Sequence, residues 1–191
     1  MDLKKHIRGI PDFPIPGILF YDISTIMRSN EAMEYVIDSL HDQIKHWQPD
    51  IIAGIESRGF LFATPLALKM GLPMMMIRKA GKLPGEVVSY EYDLEYGTDT
   101  IQIQSDAIQA GQKVVIIDDL LATGGTLEAS IKLCQKVGGE IAGCGVVIEL
   151  DFLNGRNNLS APCKSLVHYW IGKLVQPSKS VQKHLFGYKP I

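Results

Sequence analysis

The run from Val114 to Thr126, VVIIDDLLATGGT, constrains this chain more than any other segment. Its four leading apolar residues, Val114 to Ile117, read as a buried strand. Two carboxylates follow, Asp118 and Asp119, and then a turn, Thr123-Gly124-Gly125-Thr126. Leu127, Ile131, Leu133, Cys134 and Val137 continue at helical spacing up to Gly138-Gly139. A strand, a glycine turn and a helix in that order can hold a sugar phosphate. Glycines let backbone N–H groups approach an anion, and a helix N-terminus favours its charge. The carboxylates only accept hydrogen bonds, which suits sugar hydroxyls. Adjacent acids repel each other, so this pair needs a cation or hydroxyl groups beside it. Neither G-x-x-x-x-G-K-[ST] nor G-x-G-x-x-G occurs in the sequence, which argues against the common triphosphate and dinucleotide loops.

The remaining segments supply the sheet around that strand. Residues 31–47 place Met33, Val36, Ile37, Leu40, Ile44 and Trp47 at helical spacing, with Ser29 or Asn30 as N-cap. Pro49-Asp50 ends this helix, and Ile51 to Ile55 read as a buried strand in which Gly54 admits another backbone or a ligand. Glu56-Ser57-Arg58-Gly59 turns the chain into a helix over 60–70, stopped by Gly71-Leu72-Pro73. Further strands are expected at Met74 to Ile77, Thr100 to Gln104, Ile141 to Leu150 and Ser165 to Trp170. Residues 10–24 carry Pro11, Pro14 and Pro16 and read as an extended, turn-rich entry. Strands and helices alternate from 31 to 150, which implies an α/β fold with a mostly parallel central sheet flanked by helices. Ligands bind outside the carboxyl ends of such strands. The segments 56–59, 78–97 and 118–126 all follow strands there.

Composition narrows the partners. A chain of 191 residues suffices for one domain. Its net charge of −2 gives no general attraction to nucleic acid or to a membrane surface. No apolar run approaches the ~20 residues that cross a bilayer, and the first residues lack the apolar stretch of a signal peptide. Cys134, Cys144 and Cys163 are odd in number and lack C-x-x-C spacing, which disfavours a disulfide framework or a zinc site. A cytoplasmic location is the expectation.

Against that neutral background Arg78, Lys79 and Lys82 concentrate three cations within five residues, either a solvated loop or a pyrophosphate clamp. Arg58 adds a fourth if the fold brings it near. Ser57 lacks a nucleophile-elbow context and reads as a hydroxyl donor in an anion-binding turn. The segment 78–97 is long enough for a lid, with Gly81 and Gly85 as hinges; the plainer alternative is a hairpin over Val87 to Tyr96. Phe20 is either core or a stacking surface for a flat ligand, and Leu120 lies where an opposite wall would be.

At this point a resemblance enters. VVIIDDLLATGGT resembles the phosphoribosyl-diphosphate signature of the type I phosphoribosyltransferases. FPIPGILFYDIS (13–24), GIESRGFLFATPLA (54–67), IRKAGKLPGE (77–86) and YDLEYG (92–97) extend it over roughly residues 7–170, and GKLPGE with LEYG narrows it to the adenine-specific branch. The resemblance implies a single domain over 1–191, with a base-binding hood at 1–30, a flexible lid at 78–97 and a C-terminal tail at 171–191. It implies transfer of the phosphoribosyl group to adenine, giving AMP and pyrophosphate, with Mg²⁺ bridged through the substrate and no protein metal cage. By the same resemblance Ala122, Thr123, Gly124, Gly125 and Thr126 cradle the 5-phosphate, and Asp118 and Asp119 hold the ribose hydroxyls. Ser57, Arg58, Arg78, Lys79 and Lys82 meet the pyrophosphate. Phe20 and Leu120 sandwich adenine, while the backbone at Leu19 and Tyr21 reads its edge. Glu95 acts as general acid/base with Tyr96 beside it, and Arg58 joins them at the reacting centre. A homodimer is implied too. Tyr21 departs from the charged residue common in relatives, and 171–191 runs past where many relatives end. The alternative weighed is a regulator that senses phosphoribosyl diphosphate on the same fold; no helix-turn-helix extension or large basic stripe accompanies it here.

Overall fold

The computed structural model describes residues 1–93 and 97–170. Glu95, Tyr96 and the tail 171–191 lie outside the described residues. A seven-stranded sheet forms the centre, in the order β5-β6-β4-β3-β7-β8-β9. Its parallel part comprises β3 (Ile51–Ile55), β4 (Met74–Lys79), β7 (Lys113–Leu121), β8 (Glu140–Leu150) and β9 (Cys163–Tyr169). β5 (Val87–Asp93) and β6 (Thr98–Gln104) join it antiparallel on the β4 side. A short helix α1 (Ser24–Met27) precedes α2 (Asn30–Ile44), whose first turn is capped by Ser29 Oγ accepting from Ala32 N–H at 3.2 Å. α3 (Gly59–Met70) follows β3, and α4 (Gly125–Lys136) follows β7.

Each helix buries the side chains its spacing selects. Ala32, Val36, Leu40 and Ile44 of α2 join Phe62, Ala63 and Leu66 of α3 in one core layer with Ile52, Val115 and Ile117. Leu127, Ile131, Leu133 and Cys134 of α4 pack in a second layer with Ile51, Ile77, Ile116 and Val146. Gly54 serves this packing: a Cβ there would lie 2.9 Å from the Ala63 Cβ and 3.1 Å from the Phe60 ring. The glycine therefore admits α3, not a ligand. All three cysteines are buried, and loss of water pushes the Cys134 thiol up to about 12.

Three boundaries differ from the sequence reading. The strand read as ending at Ile117 continues through both acids, because pairing with β8 persists at Asp118↔Val146 and Leu120↔Ile148. The segment 78–97, read as a lid loop, contains strand at Arg78–Lys79 and at Val87–Asp93. β4 reaches Lys79, and β5 pairs with β6 from Val87↔Gln104 to Asp93↔Thr98. Alternation is the cause: Val88, Tyr90 and Tyr92 pack on the α4-side core that contains Ile101 and Ile103. The proline-rich entry contains a hairpin of β1 (Arg8–Pro11) and β2 (Leu19–Asp22), separate from the main sheet. Gly17, at φ 86°, turns it, and its N–H donates to Asp12 Oδ1 at 2.7 Å.

Candidate active site

The sheet order places β3 between β4 and β7, so the connections after β3 and β7 leave on opposite faces of the sheet. A crevice opens at the carboxyl ends of two such strands. Glu56-Ser57-Arg58 leaves β3 there, and Asp118-Asp119 lie in the last part of β7 there. Gly59 makes the approach of α3 possible: a Cβ on it would lie 2.6 Å from Ile117 O and 3.1 Å from Asp118 Oδ1.

An ion pair spans the crevice. Arg58 Nε donates to Asp119 Oδ2 at 2.6 Å, and the Asp119 side chain is only 9% exposed. The cation that the paired acids require is therefore Arg58, sixty-one residues away in sequence. The Arg58 guanidinium also lies over the Phe20 ring, 5.7 Å from its centroid. Phe20, Arg58 and Asp119 thus form one line from the β1/β2 hairpin to β7. Among the described residues no cation forms an ion pair with Asp118. Burial and the neighbouring Asp119 carboxylate hold its carboxyl well above the usual range, although Asp119 N–H donates to Asp118 Oδ1 at 2.8 Å.

Beside Asp118 lies an open cavity of about 660 Å³. Asp118, Leu120 and all of Ala122 to Thr126 line it, with Tyr90, Tyr92 and Asp93 of β5 on the facing side. Gly124, at φ 85°, is the N-cap of α4, and its carbonyl accepts from Glu128 N–H at 2.8 Å. Nothing lies within 4 Å of the position a Cβ would take on Gly125. A helix N-terminus with this bare glycine at its mouth suits a tetrahedral anion.

The other expected residues divide. Ser57 is exposed in the turn after β3. Arg78 faces the same strand end, but its guanidinium is engaged: Nε and Nη2 donate to Glu56 at 3.2 and 3.1 Å, and Nη1 to Lys82 O at 3.0 Å. Burial alone would raise the Glu56 carboxyl; hydrogen bonds from Arg78 and from Lys79 N–H outweigh it and hold the group below its ordinary range. Lys79 Nζ pairs with Asp99 at 3.2 Å, while Lys82 is exposed. Leu19 is half exposed, and Tyr21 stacks on Tyr169 with centroids 3.9 Å apart. Phe13 N–H donates to Ile18 O at 3.3 Å, so Ile18 and Phe20 turn their backbone groups toward β1. Leu19 and Tyr21 then turn theirs outward. Pro11, which has no N–H, sits opposite Leu19, as a pair without hydrogen bonds requires.

With that geometry in place, comparison with known proteins is informative. The phosphoribosyl transferase domain family matches residues 22–179. The adenine phosphoribosyltransferase of Gluconacetobacter diazotrophicus is 58% identical over 169 residues, which cover 88% of this chain and 96% of that protein. The chain belongs to the adenine phosphoribosyltransferase family. The solved adenine phosphoribosyltransferase of Thermoanaerobacter pseudethanolicus superposes with a TM-score of 0.85 at 47% identity, covering 88% of this chain and 98% of that one. The enzyme of Saccharomyces cerevisiae, solved with D-2,5-dideoxy-2,5-imino-altritol 1,6-bisphosphate and adenine, superposes at 0.82 with 42% identity, covering 86% and 96%.

Four residues that shape this crevice were not given a role from sequence. Gly59 is one. Tyr92 is another: its hydroxyl lies 3.2 Å from Thr126 Oγ1 and ties β5 to the glycine turn. Gly155 and Asn158, on the 3-10 turn Gly155–Asn158, back the same turn. A Cβ on Gly155 would lie 2.0 Å from Ala122 O, and Asn158 Nδ2 donates to Thr123 O at 2.8 Å. The YDLEYG match covered Tyr92 and GIESRGFLFATPLA covered Gly59; no local signal marks Gly155 or Asn158.

Proposed function

We propose that this crevice transfers the 5-phosphoribosyl group of phosphoribosyl diphosphate to adenine, releasing pyrophosphate and giving AMP. The observation that carries the proposal is the line Phe20–Arg58–Asp119 beside the cavity of Asp118 and Gly125. It puts an aromatic face, a cation, hydroxyl acceptors and an anion cradle in one crevice, the four chemistries the reaction needs.

Backbone N–H groups of Ala122 to Thr126 take the 5-phosphate at the start of α4. Asp118 and Asp119 accept from the ribose hydroxyls. A sugar hydroxyl donating to Asp118 adds to the Asp119 N–H that it already accepts and favours its charged form. Ser57 and Arg58 face the pyrophosphate, with Lys82 and the more engaged Arg78 and Lys79 around it. Adenine stacks on Phe20 with Leu120 as the opposite wall, and the outward backbone groups of Leu19 and Tyr21 meet its edge. Breaking the bond from C1 to pyrophosphate leaves positive charge on the ribose and negative charge on the leaving group. Cations fixed where that negative charge develops stabilise the transition state. Glu95 takes the proton that adenine loses as its nitrogen bonds to C1, with Tyr96 beside it. The β5/β6 hairpin acts as the lid that excludes water.

The donor set fits a divalent cation held mainly by substrate oxygens and water. Asp118 presents hard carboxylate oxygens in the cavity. Among the described residues, the one group of three potential ligands is Glu149, Asp151 and His168, and Glu149 is already held by Arg156. When bound, Mg²⁺ supplies positive charge to the pyrophosphate oxygens. A homodimer in the cytoplasm completes the proposal.

Replacing Glu95 tests the chemical step. Glu95→Ala is expected to bind phosphoribosyl diphosphate with the parent's affinity while turnover falls about 10²- to 10⁴-fold. Parental turnover would remove Glu95 from its role.

A further inference from the structure

The glycine turn packs against a neighbouring turn. Its support is the 3-10 turn Gly155–Asn158, which is anchored in turn by Arg156. Arg156 Nε donates to Glu149 Oε1 at 2.9 Å and its Nη2 to Glu149 Oε2, at the end of β8. The same guanidinium donates to the Cys163 carbonyl at the start of β9 and to Ser165 Oγ at 2.9 Å. Glu149 is 4% exposed, so this anchor is tied into the sheet itself. Gly155, at the head of the turn, packs backbone to backbone on the loop: a Cβ on Gly124 would lie 2.5 Å from Gly155 O. On the far side Glu128 Oε2, in the first turn of α4, accepts from Ser160 N–H at 2.8 Å and from Ser160 Oγ at 3.0 Å.

Within this frame Asn158 orients the Thr123–Gly124 peptide. Its Nδ2 donates to Thr123 O at 2.8 Å. The Thr123–Gly124 peptide is trans, so its C=O and N–H point in opposite directions. Fixing the carbonyl toward Asn158 therefore aims the Gly124 N–H the other way, where an anion at the head of α4 would sit. A reversed peptide would present a carbonyl oxygen to that anion. We infer that Asn158 is a positioning residue for phosphoribosyl diphosphate, acting through the Thr123 carbonyl and held in place by the Arg156–Glu149 pair. The inference rests on the assignment of Ala122 to Thr126 to the 5-phosphate.

Ribose 5-phosphate binding and steady-state kinetics of two variants test it. Asn158→Leu removes the donor without adding charge, and Asn158 is exposed, so the fold tolerates the change. Asn158→Leu is expected to weaken ribose 5-phosphate and to raise the KM for phosphoribosyl diphosphate about 3- to 10-fold, the worth of one hydrogen bond. The KM for adenine and the Tm stay at the parent's values, and the Gly124 amide resonance loses most of its shift on titration with ribose 5-phosphate. Thr126→Ala is the control for the phosphate site itself. Weakening by Thr126→Ala with less than a twofold effect of Asn158→Leu would overturn the inference and leave the phosphate site standing. If neither variant weakens ribose 5-phosphate, the phosphate assignment fails and the inference with it. A fall in Tm with equal loss of both substrates would show a merely structural role and also overturn it.

Discussion

Replacing Gly59 by alanine perturbs the fold and the site at one atom. The added Cβ would lie 2.6 Å from Ile117 O and 3.2 Å from Asp118 Cα, both backbone atoms that cannot swing aside. An unstrained C···O contact needs about 3.3 Å, so α3 must withdraw by roughly 0.7 Å. Arg58 immediately precedes Gly59 and reaches Asp119 at 2.6 Å. A withdrawal of that size stretches the contact to about 3.3 Å, past good hydrogen-bond length. Overpacking of this kind costs about 1–3 kcal/mol, which lowers the Tm of a chain this long by about 2–12 °C. Misplacement approaching 1 Å at a reacting centre costs up to about 10²-fold in rate. Gly59→Ala is therefore expected to lose about 10- to 100-fold in kcat/KM for phosphoribosyl diphosphate and to melt earlier. Thermal unfolding and a coupled pyrophosphate assay measure both. Parental Tm and parental kcat/KM together would refute the packing of α3 against the end of β7.

Four further outcomes follow from the same structure. Gly125→Ala meets no atom within 4 Å and is expected to keep the parent's Tm while weakening ribose 5-phosphate at least tenfold, read by calorimetry and equilibrium binding. Phe20→Ala is expected to raise the KM for adenine by about tenfold, the worth of one stacked base, with affinity for phosphoribosyl diphosphate unchanged. Asp118 has a raised folded pKa, so its ionisation opposes folding once the pH exceeds the unfolded value. Asp118→Asn is expected to stabilise the protein at neutral pH, to match it in acid below the carboxylate range, and to weaken ribose binding. Glu149 has the opposite sign. Burial would raise it, but hydrogen bonds from Arg156 and Ser165 lower it overall, so its contribution is full above the ordinary glutamate pKa and is lost as pH falls through the folded value. Denaturation of Glu149→Gln should lack that acid-dependent step.

The order of strands and helices was legible because buried strands announce themselves as apolar runs, as in Ile51–Ile55 and Val114–Ile117. The glycine turn after Asp118-Asp119 was legible because its chemistry is local. The β1/β2 hairpin was hidden by Pro11, Pro14 and Pro16, which mask strand character that a two-stranded sheet tolerates at its edges. The β5/β6 hairpin was visible only as an alternative, since Gly81, Pro84 and Gly85 made the segment look like one long loop. What the sequence hid most is long-range partnership. Asp119 finds its cation in Arg58, and Thr123 finds its donor in Asn158, thirty-five residues on. The basic cluster shows the converse: Arg78 and Lys79 look free in sequence but meet Glu56 and Asp99 in space.

The most direct measurement is product formation from each purine in turn. The protein is incubated with phosphoribosyl diphosphate, Mg²⁺ and adenine, hypoxanthine, guanine or xanthine, and nucleotide and pyrophosphate are quantified. AMP and pyrophosphate in equal amounts from adenine are expected, with 6-oxo purines disfavoured about 10⁴-fold or more because they leave buried groups unpaired. No nucleotide from any base, with phosphoribosyl diphosphate still bound, would contradict the catalytic reading and leave a binding protein on this fold.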